Sequence, residues 1–391
     1  MIPADRAAAG RREMRDTMIK LPKHLQTLKP YKSGKPISEL VREQGLSRIV
    51  KLASNENPLG PSPRAVEALS SAATDLHRYV DPRATELVGK VAERLDRQPD
   101  EIIFGHGTDA LLGYIVNAFT VEGDEVLTSE GTFIGIRVNT NKLGRKIRTV
   151  PMKDYGYDLE ALADALSPDT RIVYIANPNN PTGSMVTRSE LETFLKRVPD
   201  SVLVLLDEAY AAYAADFDGY PDGLSYRQDN IIVTRTLSKV YGLAGLRVGF
   251  AVGPARLIQE LYKVKLPFEP NSFAQAAAVA ALDDDAFLQR TLETNRRSLA
   301  MFAKALDRLG IPYVKTYANF MMLLLPSEET AADFYEACLT RGLIVRPVAS
   351  FGVPNGVRIN SGTEEETEFA IRVIEQVHAE MLNPEGHHVR E

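Results

Sequence analysis

Residues Ile231–Arg247 read IIVTRTLSKVYGLAGLR. The opening Ile231, Ile232 and Val233 form an apolar, β-branched run of the kind that folds as a buried strand. The run gives way to Ser238 and Lys239, then to a Gly-punctuated turn and to Arg247, eight residues beyond the lysine. A lysine at the mouth of a buried strand is poor packing material. A partly desolvated amine, however, loses its proton more easily and can condense with an aldehyde. The Ser238 hydroxyl and the fixed cation of Arg247 suit a phosphate. An aldehyde and a phosphate on one ligand point to pyridoxal phosphate. Alone, the stretch also fits a solvated surface lysine, because short motifs recur by chance.

The strands before it decide between these readings. EIIFGHGTDALL predicts a strand at Ile102–Phe104, a Gly-rich turn, and a helix from about Asp109. GDEVLTSEGTF, RKIRTVPM, RIVYIANPNNPTG and SVLVLLDEAY predict four more strands, with helices over DLEALADAL and SELETFLKRV between them. RVGFAVG supplies one further strand after the lysine. Strands alternating with helices predict an α/β fold with a mostly parallel sheet. Near-continuous apolarity along each strand is what a sheet covered on both faces requires.

Ligands of such sheets bind beyond the carboxyl ends of the strands. There the sequence delivers Gly107 and Thr108 at a helix N-terminus, whose free N–H groups suit a phosphate. It also delivers Thr132 and Phe133, an aromatic able to stack on a planar ring. Asn180 follows in a Pro-Thr-Gly turn, then Asp207 and Tyr210, then Ser238 and Lys239. Five apolar residues precede Asp207, so its carboxylate is expected to be partly buried. A carboxylate opposite a pyridine nitrogen keeps that nitrogen protonated and makes the ring an electron sink. Neither a GxGxxG fingerprint nor a Walker loop is present, which argues against a nucleotide-dependent dehydrogenase.

The order SNENP, RYVDP, NPNNPTG, DEAY, TLSKVYGLAGLR, ANF, IVRP and VRINSGT resembles the fold-type I aminotransferases, and most of all their histidinol-phosphate aminotransferase branch. The resemblance runs from about Leu21 to Leu382. It implies a large domain with a mostly parallel sheet flanked by helices, plus a smaller α+β domain. It implies pyridoxal 5'-phosphate as cofactor, with Lys239 bonding it and shuttling the proton, and Asp207 pairing with the ring nitrogen. Tyr210 and Asn180 would bond the ring hydroxyl, and Phe133 would stack on the ring. Gly107, Thr108, Ser238 and Arg247 would hold the phosphate, joined by Tyr79 from the partner subunit of a homodimer. Arg358 would bind a substrate acidic group and Arg346 the substrate phosphate, with Tyr31 closing over the site and Asn57 of SNENP among the substrate contacts. The implied reaction transfers the amino group of histidinol phosphate to 2-oxoglutarate. An aromatic amino-acid aminotransferase shares the cofactor residues and stays open, as does a threonine-phosphate decarboxylase. The sequence departs from the usual pattern at Val80 of RYVDP, in the GHGTD turn, and in LPFEPNSF around a substrate loop.

The expected organisation is a disordered lead-in over 1–17, a segment over 18–58 joining the small domain, a large domain over 59–284 and a small one over 285–391. Short helices are expected at Ile37–Glu43 and Pro63–Ala73, the latter capped by Ser62, and long ones at Ser272–Leu282 and Asp285–Leu309. LIVRPV reads as one strand. A net charge of −6 with no basic run argues against nucleic acid as a partner. About twenty polar residues before the fold leave no room for the DNA-binding domain of an aminotransferase-like regulator. No apolar run of membrane length and no signal-peptide core occur, so a cytoplasmic enzyme is expected. Cys338 is the single cysteine, read as a buried thiol, and the HH pair near the C-terminus has no spacing partner for a metal site.

Overall fold

A computed structural model describes residues 20–26, 28, 45–46 and 48–382. The lead-in over 1–17, Tyr31, the helix expected at Ile37–Glu43 and the HH tail lie outside the described residues. Strand β1 (Val50–Lys51) comes first, followed by β2 (Ile102–Gly105), β3 (Glu125–Ser129), β4 (Lys146–Val150), β5 (Thr170–Ala176), β6 (Leu203–Asp207), β7 (Ile231–Thr236) and β8 (Gly249–Val252). β2 to β8 form one seven-stranded sheet in the order β2-β8-β7-β6-β5-β3-β4. All its pairings are parallel except those of β8, which runs against both neighbours. The mostly parallel α/β sheet read from the sequence is the fold observed.

Side chains alternate across a strand, and the two faces of this sheet bury different partners. Phe104, Val173, Ile175, Val204, Leu206 and Val233 pack beneath helices that include Thr85–Leu95 and Ser272–Leu282. Ile103, Ile172, Tyr174, Leu205 and Ile232 pack against helices Thr108–Phe119 and Ala255–Val264. Thr85–Leu95 shows why such helices form. Leu87, Val88 and Val91 recur at helical spacing and are all buried, and Asp96 closes the helix in the left-handed region. Truncating one such leucine to alanine costs about 2–5 kcal/mol. β4 lies at the sheet edge, where Lys146 and Arg148 are exposed, as charged edge strands are.

A second body follows the long helix Asp285–Leu309, which ends at Gly310 in the left-handed region. β9 (Tyr313–Val314), β10 (Phe320–Leu324), β11 (Leu343–Ile344), β12 (Arg346–Pro347) and β13 (Gly356–Asn360) complete the strands. β12-β13-β10-β9 form an antiparallel sheet covered by helices Glu328–Leu339 and Glu364–Leu382. Cys338 is fully buried there, and burial pushes its thiol up to about 12. LIVRPV differs from the single strand expected. Leu343 and Ile344 pair in parallel with Val50 and Lys51, whereas Arg346 and Pro347 pair with β13. The N-terminal segment supplies the pairing edge that splits it.

That segment is also tied down beyond β1. Asn360 N–H donates to Leu52 O at 3.0 Å, and Asn55 N–H donates to Asn360 Oδ1 at 3.0 Å. Ser62 caps helix Pro63–Ala72 as read from the sequence. The segment then crosses the turn after Lys239. Gly242 has φ +70°, and a Cβ there would sit 2.1 Å from Gly60 O. Gly242→Ala is therefore expected to lose more than about 1 kcal/mol of stability, read as a lower denaturant midpoint. An unchanged midpoint would show that the two loops separate freely.

Candidate active site

A cavity of about 330 Å³ opens where β5, β6 and β7 end, walled on one side by Ser54–Glu56 and on another by β12 and β13. Its floor is Asp207, the last residue of β6, which is 4% exposed. Asp207 shares a face with Leu205 and with Tyr174 of the adjacent β5, and the Tyr174 hydroxyl donates to Oδ2 at 2.8 Å. Among the described residues Oδ1 has no hydrogen-bond partner. Burial pushes the carboxyl above its ordinary range, and the Tyr174 hydrogen bond opposes the shift. The next residue, Glu208, points to the other face. There it accepts from Arg235 at 2.6 Å, and Arg235 also reaches Asp222 at 2.7 Å. Two adjacent carboxylates thus have separate fates, one in an ion pair and one at the cavity.

Lys239 lies just beyond β7. Its Nζ donates to Ser54 O at 3.3 Å and stands 5.9 Å from the centre of the Tyr210 ring. Burial lowers its amine from 10.5 to about 8, and the cations of Arg358 and Arg247 push the same way. The amine is thereby brought near the neutral form that a nucleophile requires.

An anion cradle faces the lysine. Gly107 caps helix Thr108–Phe119 with φ +79°, and a Cβ there would sit 2.7 Å from Arg247 Nη2. Arg247 itself has φ +57°, an uncommon conformation for a residue with a side chain. Ser238 is buried beside it. A helix N-terminus, a hydroxyl and a guanidinium converge there, as they do around bound phosphates.

The side walls are aromatic and amide. Phe133 lines the cavity, and the loop bearing it is fixed by Thr132, which bonds Tyr157 at 2.6 Å and Asn179 at 2.9 Å. Tyr210 accepts from Asn55 Nδ2 at 2.8 Å and from Asn180 Nδ2 at 3.5 Å. Arg346 and Arg358 stand directly opposite each other on β12 and β13, and both line the cavity. Their guanidinium carbons lie 6.0 Å and 5.8 Å from the centre of the Phe351 ring. Arg358 is 5% exposed, and it donates to Asn180 Oδ1 and to Ala53 O. Like charges directly opposite destabilise a sheet unless other groups offset them.

The structure brings Thr108, Phe133, Asn180, Asp207, Tyr210, Ser238, Lys239, Arg247, Arg346 and Arg358 to this cavity, with Gly107 immediately behind Arg247. Asn57 is not among the lining residues. Its amide donates to Val240 O at 3.0 Å and to Thr291 Oγ1 at 3.1 Å, a buried tie beneath the lysine turn. Tyr79 is 83% exposed and stacks on Phe268 at 4.3 Å, outside this chain's own cavity. Sequence reasoning passed over Tyr174, Asn55 and Phe351. Tyr174 left one signal, a lone hydroxyl within the otherwise aliphatic IVYIA run. Asn55 left its place in SNENP, and Phe351 left none.

The family model of aminotransferase class I and II matches residues 47–374. The chain belongs to that family. Among curated proteins, this aminotransferase is 41% identical to histidinol-phosphate aminotransferase 1 of Mannheimia succiniciproducens over 345 residues, 88% of this chain and 94% of the relative. It is 42% identical to histidinol-phosphate aminotransferase 1 of Cupriavidus pinatubonensis over 360 residues, 91% of this chain and 96% of that one. Among solved structures, the histidinol-phosphate aminotransferase of Sinorhizobium meliloti in complex with pyridoxal-5'-phosphate superposes with a TM-score of 0.86. That match is at 28% identity and covers 94% of this chain and 100% of the other.

A lysine whose amine falls from 10.5 to about 8 on folding destabilises the cofactor-free aminotransferase below that pH, where both states are protonated. Between the two values the unfolded chain binds more protons, so stability rises with pH there. Lys239→Met, cofactor-free, is expected to melt above the cofactor-free wild type at pH 7. The gain should shrink from about pH 8 and vanish near pH 10.5. A gain that stays constant across this window in thermal scans would place the lysine in solvent.

Proposed function

We propose that this aminotransferase moves the amino group of histidinol phosphate to 2-oxoglutarate, giving imidazole acetol phosphate and glutamate, as a step of histidine biosynthesis. Its carrier in this reading is pyridoxal 5'-phosphate. The observation that carries the reading is the facing pair Arg346 and Arg358 in the wall of a cavity floored by Asp207 and Lys239. The names of the relatives at about 40% identity support it.

The residues present fit the cofactor. The orphaned Oδ1 of Asp207 needs a donor, and a protonated ring nitrogen is one. The cradle of Gly107, Thr108, Ser238 and Arg247 suits the phosphate, Phe133 the ring face, and Asn180 with Tyr210 the ring hydroxyl. When bound, pyridoxal phosphate supplies an aldehyde that takes up the amino group and a ring that withdraws electrons from the substrate carbon. Asp207 keeps the ring nitrogen protonated. Lys239 would hold the aldehyde carbon, and its amine stands where it would accept a proton from the amino-bearing carbon of the donor. Its lowered basicity leaves part of the amine neutral for that transfer. Both amino donors in turn bring an anion, a phosphate on histidinol phosphate and carboxylates on glutamate. A planar guanidinium fork binds either through two oxygens.

Glutamate formation with histidinol phosphate, phenylalanine and tyrosine as donors tests the substrate. Histidinol phosphate is expected to have the highest kcat/KM. Arg346→Leu should weaken its use by about 1.5–3 kcal/mol, the worth of a hydrogen bond between charged groups, and affect phenylalanine much less. A preference for phenylalanine, or equal losses for both donors, would replace this reading with an aromatic amino-acid aminotransferase.

The active unit is proposed to be a homodimer in which Tyr79 reaches the cofactor phosphate of the partner. The exposed Tyr79–Phe268 stack supports this, since exposed aromatics packed on one another form an apolar patch of the kind that marks interaction sites. Sedimentation of the active enzyme should give a dimer, and a fully active monomer would exclude the shared site.

A further inference from the structure

We propose that Tyr174 is a positioning residue: its hydroxyl holds one oxygen of Asp207 so that the other faces the ring nitrogen of pyridoxal phosphate. The inference rests on the cofactor reading above and concerns a residue one layer beneath the cavity. Tyr174 is fully buried and belongs to the core cluster of Ile172, Leu205 and Ile232. Packing there requires only the ring. A hydroxyl carried into such surroundings costs free energy unless it is used, and this one donates to Asp207 Oδ2 at 2.8 Å. The contact follows from the sheet itself. β5 and β6 run parallel, with Tyr174 opposite Leu205 and Ala176 opposite Asp207, so Tyr174 and Asp207 stand diagonally on one face.

The Tyr174 donor on Oδ2 limits rotation about the bond from Cβ to the carboxyl. The Thr234 side chain, opposite Asp207 on β7, and the Ala209 backbone also favour the ionised carboxylate, and Oδ1 is the oxygen without a close partner among the described residues. A phenol suits this task. Burial and the negative charge of Asp207 hold its own ionisation well above the ordinary value, so it remains a neutral donor. Asp207 also feels Asp109 from the helix after β2. Its charge in turn acts on Lys239, Tyr157 and Tyr210. Of the titratable groups in this set, Tyr174 bonds the carboxylate directly without lining the cavity.

The test compares wild type, Tyr174→Phe, Asp207→Asn and the double variant. Two quantities are read: the dissociation constant of pyridoxal phosphate from fluorescence titration of the cofactor-free protein, and the pH midpoint of the visible absorbance change of the loaded protein. Loss of one hydrogen bond to a charged group should weaken cofactor binding about tenfold and move the midpoint upward by about one unit in Tyr174→Phe. Both effects should disappear in the Asp207→Asn background, because coupled residues do not add. Site-specific 3-fluorotyrosine at position 174, a stronger donor of nearly the same shape, should move the midpoint downward. Effects that persist undiminished without Asp207, or a Tyr174→Phe protein indistinguishable from wild type, overturn the inference. A wild-type chain that takes up no pyridoxal phosphate overturns the cofactor reading and this inference with it.

Discussion

Parallel strands place all their carboxyl ends on one side of the sheet, and this constraint governs the molecule. β5, β6 and β7 are adjacent and parallel, so Asn177–Asn180, Asp207–Tyr210 and Ser238–Lys239 emerge side by side. The same arrangement draws a carboxylate and an amine out of water together. Burial pushes Asp207 toward its neutral form and Lys239 toward its own. Folding alone gains nothing from either shift, and a hydrophobic pair would pack there at less cost. Sites in which paired groups are pushed away from their ordinary ionisation are where proton chemistry is done.

The remaining parts of the fold can be understood from that floor. The second body contributes the facing Arg346 and Arg358, and the N-terminal segment contributes Ser54 and Asn55. The cavity is therefore assembled from three stretches far apart in sequence. It is held by backbone pairing of β1 with β11 and by the Asn55–Asn360 bond.

The sheet was legible because its strands are short apolar runs with chemistry-bearing residues at their ends. Helix Thr85–Leu95 was legible because Leu87, Val88 and Val91 keep the helical period. Most cavity-lining residues that sequence reasoning identified stand at strand ends or in turns, where a polar side chain has no packing role; Arg346 and Arg358 instead lie within β12 and β13. Less legible were residues whose function depends on register between distant strands. LIVRPV looks like one strand because nothing local marks Val345 as a boundary; β1, about 290 residues earlier, creates it. Tyr174 meets Asp207 only through the β5–β6 register, and Asn57 turns inward to Val240 O and to Thr291 of the long helix Asp285–Leu309, both far away in sequence. Tyr31 lies outside the described residues, and Tyr79 faces away from its own cavity.

The divided LIVRPV segment leaves the Arg346 side of the cavity with no slack. A single buried residue, Val345, separates the strand that grips the N-terminal segment from the strand that carries Arg346. Successive strand residues face opposite ways, so adding or deleting one residue there would turn the guanidinium from the cavity toward the core. The same join makes the wall and the N-terminal segment one mechanical piece. β1 pairs with β11, and Ser54 and Asn55 follow β1 by only a few residues.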